Sequence, residues 1–146
     1  MMRNWLCLAL FALGGAAAAD RPELAGTWKL DLAHSQPGEE KLQTGTIVIQ
    51  QSEDAVTITE HQVAPDGHEK KSELQCNTMG KDCKLKQGVF SLYYNGAVLV
   101  MVQTHGNDLA VKRRLSTSAD GSKLNVEVIH LVPAGKPAES YTYVKQ

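Results

Sequence analysis

Four polar side chains fall where apolar ones would be expected. Between residues 109 and 117, Leu109, Val111 and Leu115 share one face of an alternating segment, and Lys112 and Arg114 take the other. Arg113 has the parity of the apolar face. His130 likewise continues the face of Leu124, Val126 and Val128, and Tyr141 and Tyr143 share one face of the final extended segment. If these segments are neighbours with those faces turned inward, Arg113, His130, Tyr141 and Tyr143 converge at one depth of an interior. An unpaired buried guanidinium is very costly. A ligand carboxylate would supply the missing charge, gripped bidentately by Arg113 with help from Tyr143. The structural alternative is that Arg113 packs on Trp28 or carries its charge to a rim along its aliphatic stem.

Reaction chemistry has little support. The chain lacks Gly-x-Ser-x-Gly, His-Glu-x-x-His, a phosphate loop and a dinucleotide fingerprint. His34, His61, His68, His105 and His130 are scattered. His61 and His68 flank one hairpin, but pairing across Pro65-Asp66-Gly67 does not set them opposite each other. The acidic residues fall mostly in turns, where exposure to solvent is their ordinary state. The expectation is a protein that is not an enzyme and holds neither cofactor nor metal.

The elements that must position these side chains are strands. Turn signals recur at Ser52-Glu53-Asp54, Pro65-Asp66-Gly67, Asn95-Gly96, Gly106-Asn107-Asp108, Asp120-Gly121 and Pro133-Ala134-Gly135, with a cysteine-bounded loop between the second and third. The segments between them are rich in Val, Ile, Thr, Leu and Tyr. Strands are expected near 26–32, 44–51, 55–63, 68–75, 88–94, 97–104, 109–117, 122–131 and 139–145. Ser35 to Thr44 reads as a polar loop with one helical turn at Glu39–Leu42. A meander of hairpins leaves unpaired edges unless it rolls up. The fold class expected is therefore all-β: an antiparallel up-and-down meander closed or nearly closed into a barrel of about 8–9 strands. A sandwich is the rival, but the short, even connections favour the barrel. The run Ala97 to Val102 is apolar on both faces, so its outer side must be covered or form a dimer contact.

The chain opens with Arg3, then the apolar run Trp5 to Leu13, then small residues to Ala19. This is the layout of a secretory leader, with cleavage expected after Ala19. The apolar run falls well short of the roughly 20 residues that span a bilayer. The mature chain would be a single domain, residues 20–146, secreted or periplasmic, with no membrane span. Loss of Arg3 leaves 14 basic against 16 acidic residues. No basic stripe is present, so nucleic acid is not an expected partner. Cys7 departs with the leader, leaving Cys76 and Cys83 with six residues between them. In an oxidising compartment that pair reads as one disulfide.

Leu24-Ala25-Gly26-Thr27-Trp28-Lys29-Leu30-Asp31 resembles the Gly-x-Trp opening of the lipocalins and their calycin relatives. With Ser35, Tyr94-Asn95-Gly96, Val111-Lys112-Arg113-Arg114-Leu115 and the closing Tyr143-Val144-Lys145-Gln146, the chain is similar to secreted bacterial lipocalin-like proteins of unknown function. The resemblance implies that Trp28 plugs the closed end of the barrel. It also implies that a late-strand arginine, Arg113 or Arg114, lies over that ring. It further implies a small hydrophobic or amphipathic ligand inside the barrel, and an Arg-plus-Tyr grip like that of fatty-acid-binding relatives. The alternative function is a non-catalytic structural or interaction module with a packed interior. The oligomeric state stays open.

Overall fold

The computed structural model describes residues 21–39 and 41–146. The expected leader lies outside the described residues. The described chain forms ten antiparallel strands: β1 (Gly26–Gln36), β2 (Thr44–Gln51), β3 (Ala55–Val63), β4 (Glu69–Asn77), β5 (Cys83–Leu85), β6 (Gly88–Asn95), β7 (Val98–His105), β8 (Leu109–Thr117), β9 (Lys123–Val132) and β10 (Glu139–Lys145). The order in the sheet is β4-β3-β2-β1-β10-β9-β8-β7-β6-β5. Each strand pairs with its neighbour in sequence, except that β1 also pairs with β10 and β4 does not join the β5 edge by a ladder. The result is a nearly closed barrel with one seam.

Cys76 and Cys83 are disulfide-bonded with their Cα atoms 5.8 Å apart, and they stand on β4 and β5, the two edges of the seam. The seam is further drawn together by a bridge between Met79 and Tyr93 and by Gly80 N donating to Leu92 O at 2.8 Å. The three-residue β5, inside a stretch that reads as loop, takes the count to ten rather than 8–9. β6 begins at Gly88, where a Cβ would lie 2.3 Å from the Thr104 carbonyl oxygen on β7, so only glycine fits there.

β1 is longer than its sequence suggests. It bulges between Asp31 and Gln36 and stays with β10 to the Gln36–Ser140 pair. Ser35 Oγ accepts the Thr142 amide at 2.9 Å, and Thr142 Oγ1 donates to the His34 carbonyl at 3.0 Å. These bonds pull polar residues into the sheet that would otherwise read as turn. The expected helical turn at 39–42 is not formed among its described residues.

The inward face carries the core. Leu24, Trp28, Leu92, Leu99 and Leu124 are fully buried, with Ile47, Ile49, Val56, Ile58 and Leu115 around them. Residues 21–25 lie beneath the barrel and close that end. Trp28 Nε1 donates to the Leu24 carbonyl at 2.9 Å, and Gln51 accepts the Leu24 amide while donating to Tyr94 Oη at 2.8 Å. Arg21 adds a stacked contact, 5.0 Å over the Tyr94 ring. Of the two-sided apolar run on β7, Val100 is covered within the chain, and Val98 and Val102 are half-buried. Leu99 and Met101 point into the core, and Val100, on the outer face, is buried between its cross-strand neighbours Tyr93 and Arg114.

Candidate functional site

Along each strand the inward face changes character at one level. β3 runs Val56, Ile58, Glu60, Gln62, and β4 runs Cys76, Leu74, Ser72, Lys70. β7 runs Leu99, Met101, Gln103, β8 runs Leu115, Arg113, Val111, and β9 runs Leu124, Val126, Val128, His130. The antiparallel register brings the polar halves together at the end opposite Trp28. That end holds an open cavity of about 320 Å³, whose wall includes Glu60, Gln62, Arg113, His130, Glu139 and Tyr141. A second space of about 320 Å³ reaches toward the seam over Ile58, Leu74, Phe90 and Met101, and shares Glu60, Lys70, Ser72, Gln103 and Arg113 with the first. The interior is thus two-lobed, with a polar lobe at the mouth and an apolar lobe behind it.

Of the four residues singled out by parity, Arg113, His130 and Tyr141 line this cavity, and Tyr143 is buried in the core beneath it. They fall in two groups. Arg113 Nη1 donates to Glu60 Oε1 at 3.0 Å, and both side chains are largely shielded, at 35% and 16% exposure. Tyr143, 3% exposed, lies against this pair. Its phenol is pushed well above the ordinary value of 10.0 by burial and by the Glu60 charge, so it stays a neutral hydroxyl. In the second group, His130 Nε2 is hydrogen-bonded to Glu139 Oε2, and Tyr141 Oη donates to Glu139 Oε1 at 2.6 Å. Burial also raises the Tyr141 phenol, and the adjacent Glu139 carboxylate raises it further. Glu139 feels burial as an upward push. Hydrogen bonds from Tyr141, His130 and the Gly38 amide outweigh that push and hold its carboxyl below the ordinary 4.5. The Gly38 bond, at 3.3 Å, also ties the β1–β2 connection to the mouth.

Two expectations need correcting. The counter-charge for Arg113 comes from the chain itself, through Glu60, so no ligand carboxylate is needed to neutralise it. Neither Arg113 nor Arg114 covers Trp28. Lys145 does, with its Nζ 5.6 Å from the ring centre, because the register sets Trp28 opposite Lys145 on β10. Arg113 is level with Met101 and Val128, above the floor, and Arg114 faces outward to Glu127 at 3.2 Å.

Glu60 and Glu139 are the cavity-lining acids that the turn-residue reading overlooked. The signal was present: Glu60 continues the Val56–Ile58 face, and Glu139 shares its face with Tyr141 and Tyr143. The histidines flanking the β3–β4 hairpin separate. His61 is 3.7 Å from Glu69, and His68 is bonded to Asp66 at 2.7 Å. Among the described residues no three His, Cys, Asp or Glu side chains gather as a metal set, and no helix is long and apolar enough to cross a membrane.

The barrel fold, though not this set of side chains, is one on which solved structures can be compared. The chain is similar to apo lipid binding protein 8 of Caenorhabditis elegans, with a TM-score of 0.62 at 14% identity, over 84% of this chain and 94% of that one. It is also similar to the zebrafish ileal bile acid-binding protein in complex with cholic acid (TM-score 0.54, 17% identity, 84% of this chain and 98% of that one). The fatty-acid-binding protein of Manduca sexta matches with a TM-score of 0.53 at 12% identity, over 83% of this chain and 98% of that one. No protein-family model and no curated protein matches the chain. The chain shares with these structures an antiparallel up-and-down barrel fold.

Proposed function

We propose that this protein is an exported binding module that holds a small hydrophobic or amphipathic molecule inside its barrel, without catalysis. The observation that carries the reading is the two-lobed interior, polar at the mouth and apolar behind. A head group would lie against Arg113, His130 and Tyr141, with Tyr143 buried behind them, and an apolar tail would enter the lobe over Phe90 and Met101. About 320 Å³ per lobe sits at the lower end of the roughly 300–1,000 Å³ typical of small-molecule sites. The fold shared with lipid-, bile-acid- and fatty-acid-binding proteins supports the same reading. The leader-like residues 1–19 and the Cys76–Cys83 disulfide support export.

A second reading, a packed module with no ligand, draws on one observation: Arg113, Glu60, His130, Glu139 and Tyr141 on the wall already satisfy one another. A neutral apolar dye, N-phenylnaphthylamine, separates the two. Binding predicts a saturable fluorescence rise at one dye per chain, competed away by amphiphiles and weakened at least about tenfold by Met101→Trp, which fills the rear lobe. A folded protein that never saturates with dye would leave the packed module standing. The same preparation, recovered from the exported fraction, should begin at Asp20 on N-terminal sequencing; retention of residues 1–19 would count against export.

A further inference from the structure

We propose that the head group accepted at the mouth is uncharged and hydrogen-bonding, as in a fatty alcohol or a monoacylglycerol, and not a carboxylate. The inference rests on the binding reading above and narrows it to a ligand class. Its basis is the charge inventory of the cavity wall. Glu39, Glu60 and Glu139 stand there against Lys70, Arg113 and Lys136, so the wall carries no formal surplus of positive charge. Arg113, whose inward parity would suit an anion, is engaged by Glu60 at 3.0 Å. The Tyr141 hydroxyl is spent on Glu139 at 2.6 Å, and His130 is bonded to that same carboxylate. An incoming carboxylate would have to displace Glu60 from Arg113, stranding a shielded anion, or lie beside Glu60 and Glu139 and meet only Lys70 and Lys136, which are exposed and screened by water. An alcohol or ester head meets a wall rich in neutral acceptors and donors. Among these are Gln62, Ser72 and Gln103, all on the cavity wall; the Gln103 amide nitrogen donates to Gln87 O at 3.0 Å.

Lauric acid, lauryl alcohol and monolaurin share one tail and differ in the head. Their affinities are compared by calorimetry at about pH 8, where the acid is ionised. The expected result is that the alcohol and monolaurin bind at least about tenfold more tightly than the acid. In Glu60→Gln, which keeps the shape and frees the Arg113 charge, the acid-to-alcohol affinity ratio should shift by about tenfold toward the acid. Lauric acid binding as tightly as lauryl alcohol in the unaltered protein would overturn the head-group assignment and leave the binding reading intact. No saturable binding of any of the three would remove the binding reading itself. The ranking in the unaltered protein decides the matter even if Glu60→Gln does not fold.

Discussion

The two ends of the barrel are built from the same strands by opposite rules. At the closed end Leu24, Trp28, Leu92, Leu99 and Leu124 are fully buried, and the polar atoms present, such as Trp28 Nε1 and the Gln51 amide, each bond a backbone or side-chain partner. At the open end the inward positions are Glu60, Ser72, Gln103, Arg113 and His130, in partial contact with solvent. The switch occurs between consecutive inward residues: Ile58 to Glu60, Leu74 to Ser72, Met101 to Gln103, Leu115 to Arg113. Stability is thus concentrated in one half of the barrel, and the other half is left to polar groups that a packed core would exclude. Local departures from apolar alternation mark the end at which the cavity opens.

The largest effect should come from the floor. Trp28→Ala removes a fully buried ring and its bond to Leu24, and is expected to cost about 3–5 kcal/mol of stability. Gln103→Ala, at the mouth, should cost no more than about 1 kcal/mol. Urea unfolding of both variants checks the contrast. Equal losses would mean that the two ends share the work and would break the comparison.

The seam lies between these regimes. Replacing Cys76 and Cys83 together by serine should lower stability by about 2–3 kcal/mol, the loop-closure contribution for a link this short. Because the link joins β4 to β5, amide hydrogen exchange should rise at the sheet edges first, in β4 and β5, while β9 and β10 stay protected. Uniform acceleration through all ten strands would show that the disulfide only restrains the unfolded chain.

Much of this was legible in the sequence because parity survives without an alignment. Leu124, Val126 and Val128 opposite Asn125 and Glu127 could only be a strand with one wet face, and the spaced glycine and asparagine turns could only be hairpins. The same parity turned Arg113, His130 and Tyr141 onto one cavity, while Tyr143 points inward but is buried in the core. What stayed hidden was pairing. A strand's face says that Arg113 points inward, but the residue it meets, Glu60, lies 53 positions away on β3 and is set by how the barrel rolls. The cover of Trp28 failed for the same reason. Lys145 and Arg113 both have inward parity, and only the β1–β10 register decides which reaches the ring. β5 escaped notice because three residues carry no alternation. The far half of β1 did so because Ser35 and Gln36 are held by bonds to β10 rather than by any propensity of their own.

The smallest effect distinguishes the ends by their acids. At the closed end Asp120 is pulled down to about 2 by hydrogen bonds from the Ser118 and then the Ser122 hydroxyls, but it is fully exposed and only shapes a turn. At the mouth, burial pushes Glu139 up, and the bonds from Tyr141, His130 and the Gly38 amide pull it below 4.5 in the folded state. A lowered folded value means that the unfolded chain takes up its proton first as acid is added. The stabilisation from Glu139 is therefore complete above 4.5 and is lost as the pH falls from there through the folded value. Global unfolding would mix Glu139 with Asp31, Asp66 and Asp120, which also lie below their ordinary value. The Gly38 amide resonance isolates it, because that N–H donates directly to Glu139 Oε1. It should titrate with a midpoint below 4.5, and the step should vanish in Glu139→Gln. A midpoint at or above 4.5 would mean that burial prevails over the three donors, and the mouth would then lose its anchor to the β1–β2 connection in milder acid than the geometry predicts.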